Sequence, residues 1–422
     1  MQLLLVFVNK ESIFVIFNSL INVMIAREDY LQKLRLLKNQ NLIKVITGIR
    51  RSGKSSLLQA FSLELKNNGT PDSSIQFFNF EERENIHLNH WSKLYDEIIQ
   101  KTSETEKYYI FLDEVQLITD FEKLVNALFT KKNIDLYVTG SNAYLLSSEL
   151  ATLLSGRYIA INIHPFSFKE YTQAFPEDGN TDRLFRKYMN TSSFPEAVSL
   201  SKIDENLVND YLQTIYNTVV IKDIATRYNL RNLHNLKRLI DFVFEHVGSY
   251  LSPGNIAEEL SKGNKSISHN TITKYLDFLI KSYILYPAAR FDVKGKELLQ
   301  TNEKYYLIDL GLKNITTTNK VDGNLGHKLE NVVYFELLRR GGKVYVGKNN
   351  EKEIDFIVQK ANNEYEYYQV AYTVSDEKTL ARELAAFQNI RDGYPKYLLT
   401  MDFDTTNIYG IQKINVIDWL LG

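Results

Sequence analysis

Cysteine is absent from the 422 residues. That excludes structural disulfides and thiolate metal sites, and it fits a reducing cytoplasm. An excess of charge is absent too. With 50 Lys and Arg against 51 Asp and Glu, the formal net charge is −1, so no global basic field announces nucleic acid and any such surface must be a local patch. An uninterrupted apolar run long enough for a membrane is also missing. Residues 1–25 are rich in Leu, Val, Ile and Phe, but Lys10 and Glu11 break them and no basic stretch precedes them. A signal peptide or a spanning helix of about 20 residues is a poor match, and no membrane partner is expected. Met24-Ile25-Ala26-Arg27 reads as a natural start, which leaves residues 1–23 as an upstream extension or an N-terminal strand or hairpin. Internal repeats and low-complexity tracts are lacking.

What is present is ordinary in bulk. Hydrophobic residues make up 44% and charged residues 24%, the balance of a soluble globular chain, and the length suits roughly two to three domains. Glu28–Leu37 has the spacing of an amphipathic helix. Apolar runs at 42–47, 75–79, 108–112, 136–139 and 159–163 then alternate with helical stretches at 55–66, 91–101 and 121–130. This order predicts a mostly parallel sheet with helices on both faces. From Arg183 to Leu251 the pattern is helical, and strands return at 305–308, 343–346, 354–358, 365–371 and 396–400. Asn314–Gly326 reads as an exposed loop.

Gly48-Ile49-Arg50-Arg51-Ser52-Gly53-Lys54-Ser55 fits G-x-x-x-x-G-K-[ST], and it lies between a strand and an amphipathic helix, the context this phosphate-binding loop needs. Gly48, Arg51, Ser52, Gly53, Lys54, Ser55 and Ser56 are therefore candidate ATP contacts. Free amides at the helix start face the phosphates, Lys54 reaches the β- and γ-phosphates, and the Ser55 hydroxyl ligates Mg2+. The apolar strand Tyr108–Leu112 ends in Asp113-Glu114. Asp113 is expected to hold Mg2+ and Glu114 to act as general base toward the attacking water. At the tip of the next strand, Ser141 or Asn142 is placed to sense the γ-phosphate. Arg157 is a candidate to contact nucleotide from the same or a neighbouring subunit, with a surface salt bridge as its other reading.

These segments, with His164-Pro165-Phe166-Ser167-Phe168, Phe194-Pro195-Glu196, Ile221-Lys222-Asp223-Ile224 and Tyr305–Leu312, resemble the prokaryotic AAA-like P-loop ATPases that carry a C-terminal DUF4143 domain. Ser192-Ser193 stands where that family usually has two glycines. The resemblance implies a cytoplasmic ATPase using ATP and Mg2+, in a group whose members often form rings, so a homo-oligomer is within its scope. The expected organisation is a P-loop AAA-like ATPase domain at 24–175, a helical lid or linker at 176–230, a winged helix at 231–295 and a small α/β restriction-endonuclease-like domain at 296–422. DUF4143 would cover roughly 220–375.

In the winged helix, Ser268 can cap a helix over Asn270–Lys281, and 284–286 and 289–291 are expected to form the wing. A DNA-reading version would present Asn270, Thr271, Thr273 and Lys274 to the groove, with Lys262, Lys265 and Lys281 near phosphates. A protein partner is the alternative. Further on, Glu330 on a helix, Asp355 on a strand and a following strand resemble a restriction-endonuclease-like core. The Glu-x-Lys expected on that last strand is replaced by Gln369 and Ala371, so the domain reads as a degenerate, structural or binding version, with a metal-dependent nuclease as the weaker reading.

Overall fold

In the computed structural model, residues 25–141, 156–230, 233–262, 266–316 and 325–422 are described. Helix α1 (Glu28–Leu37) buries Tyr30, Leu31 and Leu34, three of the four residues its helical spacing puts on one face, while the fourth, Leu37, is half-buried. The alternation that follows becomes β1 (Ile43–Thr47), α2 (Lys54–Asn67), β2 (Ile75–Asn79), α3 (Trp91–Gln100), β3 (Tyr108–Asp113), α4 (Phe121–Phe129), β4 (Ile134–Gly140) and β5 (Tyr158–Asn162). All pairings are parallel, in the order β2-β3-β4-β1-β5. Strands β1 and β3 are buried along their whole length, as parallel strands covered on both faces must be.

One face packs Leu34, Phe61 and Tyr137 under α1 and α2. The other packs Leu94, Leu124 and Leu128 from α3 and α4. The chain leaving β1 runs to the far edge at β2, and the chain leaving β4 returns across β1 to β5. Connections diverge at the carboxyl ends of β1 and its neighbours, where open α/β sheets carry ligands. Within the sheet Lys44 and Asp135 form an ion pair with both side chains at most 1% exposed, and the Tyr137 hydroxyl donates to Asp135 at 2.9 Å.

Beyond the sheet come α5 (Phe168–Gln173), α6 (Thr181–Asn190), α7 (Pro195–Leu200) and α8 (Glu205–Ile215), which runs on through a π-helical stretch at Tyr216–Asp223 into α9 (Ile224–Arg227). Helices α10 (Leu233–Glu245), α11 (Pro253–Leu260) and α12 (His269–Lys281) follow, with the two-residue strand β6 (Tyr250–Leu251) between the first pair. Ser268 caps α12 by accepting from Thr271 N–H, as expected.

The wing differs from expectation. Residues 285–286 and 289–291 are not two strands but parts of one, β7 (Leu285–Asp292), which Ile284 just precedes and whose antiparallel partner is β8 (Glu297–Leu307). The boundary at 295/296 thus falls in the turn of a single hairpin, where Asp292 accepts from Gly295 N–H at 2.8 Å. That hairpin is continuous with the last domain. Strands β9 (Lys343–Asn349), β10 (Lys352–Gln359), β11 (Tyr365–Val370), β12 (Lys396–Thr400), β13 (Thr406–Ile408) and β14 (Ile411–Asn415) join it in one nine-stranded sheet, β13-β14-β12-β11-β10-β9-β7-β8-β6.

Helices α13 (Leu310–Thr316), α14 (Leu325–Arg340), α15 (Glu377–Ala385) and α16 (Val416–Leu421) complete the chain. Both ends of the expected Asn314–Gly326 loop are helical, and its centre, 317–324, lies outside the described residues. No helix among the described residues is long and apolar enough to cross a membrane.

Candidate nucleotide site

The loop between β1 and α2 is held by backbone sterics. Gly48 has φ +142°, and a Cβ there would lie 2.2 Å from the Ile163 carbonyl oxygen, so only glycine lets the loop pass the end of β5. Gly53, at φ 94°, turns the chain into α2, whose first residue is Lys54. The Lys54 Nζ is 3.3 Å from the carbonyls of Gly48 and Ile49 and 3.5 Å from Glu114 Oε1. Burial lowers the Lys54 pKa, and the charges of Glu114 and Asp113 partly restore it.

Opposite the loop, β3 delivers Asp113, and Glu114 follows in a left-handed conformation at φ 56°. Thr139, fully buried on neighbouring β4, joins the two acids. Its hydroxyl donates to Asp113 Oδ1 at 2.5 Å and accepts from Glu114 N–H at 2.8 Å. Burial raises the Asp113 pKa, against hydrogen bonds from Ser55 and Thr139. Ser55, the second residue of α2, thus faces the Asp113 carboxyl. Gln116 Nε2 donates to Glu114 Oε2. Lys54, Ser55, Asp113 and Glu114 converge as the spacing predicted. Thr139 was visible only as the end of a strand, and nothing in the sequence marked it as the bridge.

On the other side of α2 a cavity of about 520 Å³ is lined by Ile25, Ala26, Arg27, Ser56, Leu57 and Pro195, among others. Arg27 builds its floor. Its guanidinium pairs with both Glu170 oxygens at 3.0 Å and donates to the Ser52 carbonyl at 2.9 Å and the His164 carbonyl at 2.8 Å. One arginine thus ties the phosphate loop to the end of β5 and to α5. Sequence reasoning missed it, because a single arginine before a helix has no distinguishing pattern.

The Phe194-Pro195-Glu196 segment starts α7, and the Pro195 ring lies 3.7 Å from where a Gly53 Cβ would stand. Asp309 anchors this segment. It accepts from Ser193 N–H and Oγ at 2.7 Å each and from Ser192 Oγ at 3.1 Å. Gly311 is required beside it, since a Cβ would meet the Thr191 carbonyl at 2.3 Å. Arg50 of the loop pairs with Asp223 at 3.3 Å, on the π-helical stretch, and also with Glu81.

Three candidates remain to be placed. Asn142 lies outside the described residues, and Ser141 is half-buried just past β4. Arg157 is exposed, donates to Asn126 at 3.0 Å and gives its carbonyl to Ile43 N–H. Ile43 opens β1 and the phosphate loop follows Thr47, which puts Arg157 about 13 Å away along the strand, at the wrong end of the sheet. That corrects the expectation of a contact with this chain's own nucleotide.

A second buried cluster occupies the C-terminal sheet, beside a cavity of about 700 Å³ lined by Glu330, Asp355, Gln369 and Glu383. Gln369 accepts from Asp355 N–H and donates to Glu383. Lys304 of β8, which the sequence reading did not single out, reaches Glu330 at 3.3 Å and Glu353 at 2.6 Å. Burial and then the Glu330 charge push the Asp355 carboxyl well above its ordinary range. No group of three or more His, Cys, Asp or Glu among the described residues could hold a metal.

Comparison with known proteins places these features in a family. Residues 40–172 match the model of an AAA domain, and residues 182–322 match a domain of unknown function, DUF8612; the match expected there was DUF4143. An uncharacterized protein of Haemophilus influenzae is 41% identical over 407 residues, covering 94% of this chain and 99% of the relative. An uncharacterized protein of Methanocaldococcus jannaschii is 28% identical over 394 residues, 90% and 85% of the two chains. A Walker-type ATPase of Pyrococcus abyssi is 17% identical with a TM-score of 0.49, over 69% of this chain and 96% of that one. On its near full-length match the chain belongs to the family of the Haemophilus influenzae protein, one built on an AAA domain of the P-loop class.

Proposed function

We propose that this protein binds ATP with Mg2+, hydrolyses it, and uses the cycle as a switch acting on DNA or a protein partner. What supports the reading is the convergence of Lys54, Asp113 and Glu114 at the loop, with Thr139 bridging the two acids. The Ser55 and Asp113 oxygens are hard donors of the kind Mg2+ takes alongside phosphate oxygens. The ion, when bound, would offset charge on the transferred phosphoryl group. Lys54 neutralises the β- and γ-phosphates, Glu114 accepts the proton of the attacking water, and Gln116 fixes its carboxylate. The cavity beside Arg27 and Pro195 suits the nucleoside.

The switch reading rests on what touches the site. Pro195 reaches the loop from the segment that Asp309 anchors, and Asp309 directly follows the β7–β8 hairpin of the winged-helix region. On α12, Asn270, Thr273 and Lys274 are exposed, with Thr271 half-buried. Lys262 and Lys281 are paired with Glu259 and Asp277, and Lys265 lies outside the described residues. The face is charge-balanced, so any DNA contact would show a shallow salt dependence. The Lys304 ammonium stands among the nuclease-like acids, which supports a structural or binding role for the C-terminal domain.

Phosphate release by wild type, Lys54→Ala and Glu114→Gln, with and without duplex DNA, tests the proposal. Loss in both variants is expected. Equal release from all three would remove the assigned roles.

A further inference from the structure

Strand β5 is the edge of the parallel sheet, and four of its residues, Ile159, Ala160, Ile161 and Asn162, line a cleft of about 570 Å³ closed by α1 on one side and Tyr286, Leu338 and Arg339 on the other. Ile43 N–H bonds to the Arg157 carbonyl at 2.8 Å and Ile163 N–H to the Thr47 carbonyl at 2.7 Å. Odd-numbered peptide groups of β5 therefore face β1, and those of Ala160 and Asn162 face outward along the cleft. Lys33 and Arg339 stand on the cleft wall with no carboxylate among its lining residues, although Arg339 also pairs with Glu336 behind the wall at 3.7 Å. Leu36 and Ile159, 72% and 38% exposed, add an apolar rim.

Polar atoms on this wall lack partners. His164 is 4% exposed, and neither of its ring nitrogens is hydrogen-bonded. The same holds for Asn162 Oδ1 and Arg339 Nε. Buried polar atoms are normally satisfied, so this wall carries unused donors and acceptors beside the cleft, just beneath its surface.

We propose that this cleft takes an extended acidic peptide segment of a partner protein, added as a strand beside β5. Its backbone would pair with the outward groups of Ala160 and Asn162, its carboxylates would meet Lys33 and Arg339, and its apolar side chains would rest on Leu36 and Ile159. The occupied cleft communicates with the phosphate loop, because Arg27 holds both the His164 carbonyl and the Ser52 carbonyl.

The test uses the full chain without nucleotide, so its outcome is separable from the ATPase reading. A labelled, end-blocked peptide alternating Val with Asp and Glu is titrated against the same peptide with Lys at the acidic positions. Lys33→Glu is exposed and should leave folding unchanged. Ala160→Pro removes only an outward N–H, which an edge strand tolerates. Saturable binding of the acidic peptide alone, weakened at least tenfold by either variant at an unchanged melting temperature, is expected. Equal affinity for both peptides, no binding of either, or wild-type binding by Ala160→Pro would overturn the proposal. Competition by N-acetylglutamate at matched concentration would instead reveal a small-anion site. A dimer that Lys33→Glu dissociates would assign the edge to a second copy of the chain. Either result would also overturn it.

Discussion

Arg27→Ala should be among the most damaging single substitutions at this site, and its cost can be worked from the contacts. Arg27 and Glu170 are paired at 5% and 11% side-chain exposure. Removing one member of a buried pair costs about 3–5 kcal/mol, because the other charge is left without compensation. Glu170 would keep one bond, from Ser167 N–H at 2.8 Å, which favours the lower end of that range. The lost bonds to the Ser52 and His164 carbonyls and the stacking over Tyr30 at 4.7 Å push the other way. A loss of about 4 kcal/mol in denaturant unfolding is expected. Nucleotide affinity should fall about tenfold with the freed loop, some 1.4 kcal/mol.

Two controls make this specific. The Arg27→Ala/Glu170→Ala double variant should cost less than the two singles added, by about 1–3 kcal/mol of coupling. The pH profile carries a sign. Burial, the largest single influence, would raise the Glu170 carboxyl, but Arg27, helped by the Arg339 charge and the Ser167 N–H, holds the pKa below its ordinary value. The stabilisation is thus present above the ordinary carboxylate pKa and lost as pH falls through the depressed folded value. In Arg27→Ala burial is opposed only by the Arg339 charge and the Ser167 N–H bond, so the deficit should be largest near neutrality and shrink in acid. An unchanged unfolding midpoint, or strictly additive costs, would refute the reasoning.

Two further outcomes follow from the same kind of contact. Thr139→Val keeps shape but strips the hydroxyl between Asp113 and Glu114, so turnover should drop roughly 5- to 150-fold for about 1–3 kcal/mol, while Thr139→Ser stays near wild type; steady-state phosphate release decides it. Lys304→Met leaves Glu330 and Asp355, 8% and 6% exposed, without their cation. It should cost about 3–5 kcal/mol at neutral pH, measured by denaturant unfolding. Those carboxyls already titrate above their ordinary range, so the native state binds the extra protons and the variant's stability should recover as pH falls toward 5.

The parallel sheet was legible because its signals are local. Each strand is a short apolar run, and each element of the phosphate loop is defined by spacing along one stretch of chain, so Gly48, Lys54, Ser55 and Asp113 could be placed before any geometry was known. The sites that stayed hidden are made by pairs distant in sequence. Arg27 meets Glu170 across 143 positions and Asp309 meets Ser193 across 116, and no periodicity marks such partners. The wing was misread for a different reason. Ala288 and Arg290 flank a register shift in β7, and a bulge interrupts the alternation by which one strand is recognised as one. Arg157 was misplaced because a linear motif gives order without direction, and only the pairing with Ile43 shows which end of β5 it occupies.

The same distant contacts argue that nucleotide and C-terminal sheet are mechanically joined. The phosphate loop is gripped from three sides, by Arg27 through Ser52, by Asp223 through Arg50 and by Pro195 against Gly53, the last two from elements beyond the parallel sheet. Pro195 cannot shift without Ser192 and Ser193, whose donors converge on Asp309. Asp309 in turn directly follows β8, the strand that carries Lys304 into the acidic cluster. Arg339, on the helix that bears Glu330, holds the Pro165 carbonyl next to the His164 carbonyl that Arg27 grips. Two short paths therefore connect the phosphate loop to the elements of one nine-stranded sheet, one through the Pro195 contact and the hydrogen bonds on Asp309, the other through the guanidinium bonds of Arg27 and Arg339. In the proposed ATP cycle, a movement of the loop should therefore appear as a shift of the β7–β8 hairpin or as strain at Asp309.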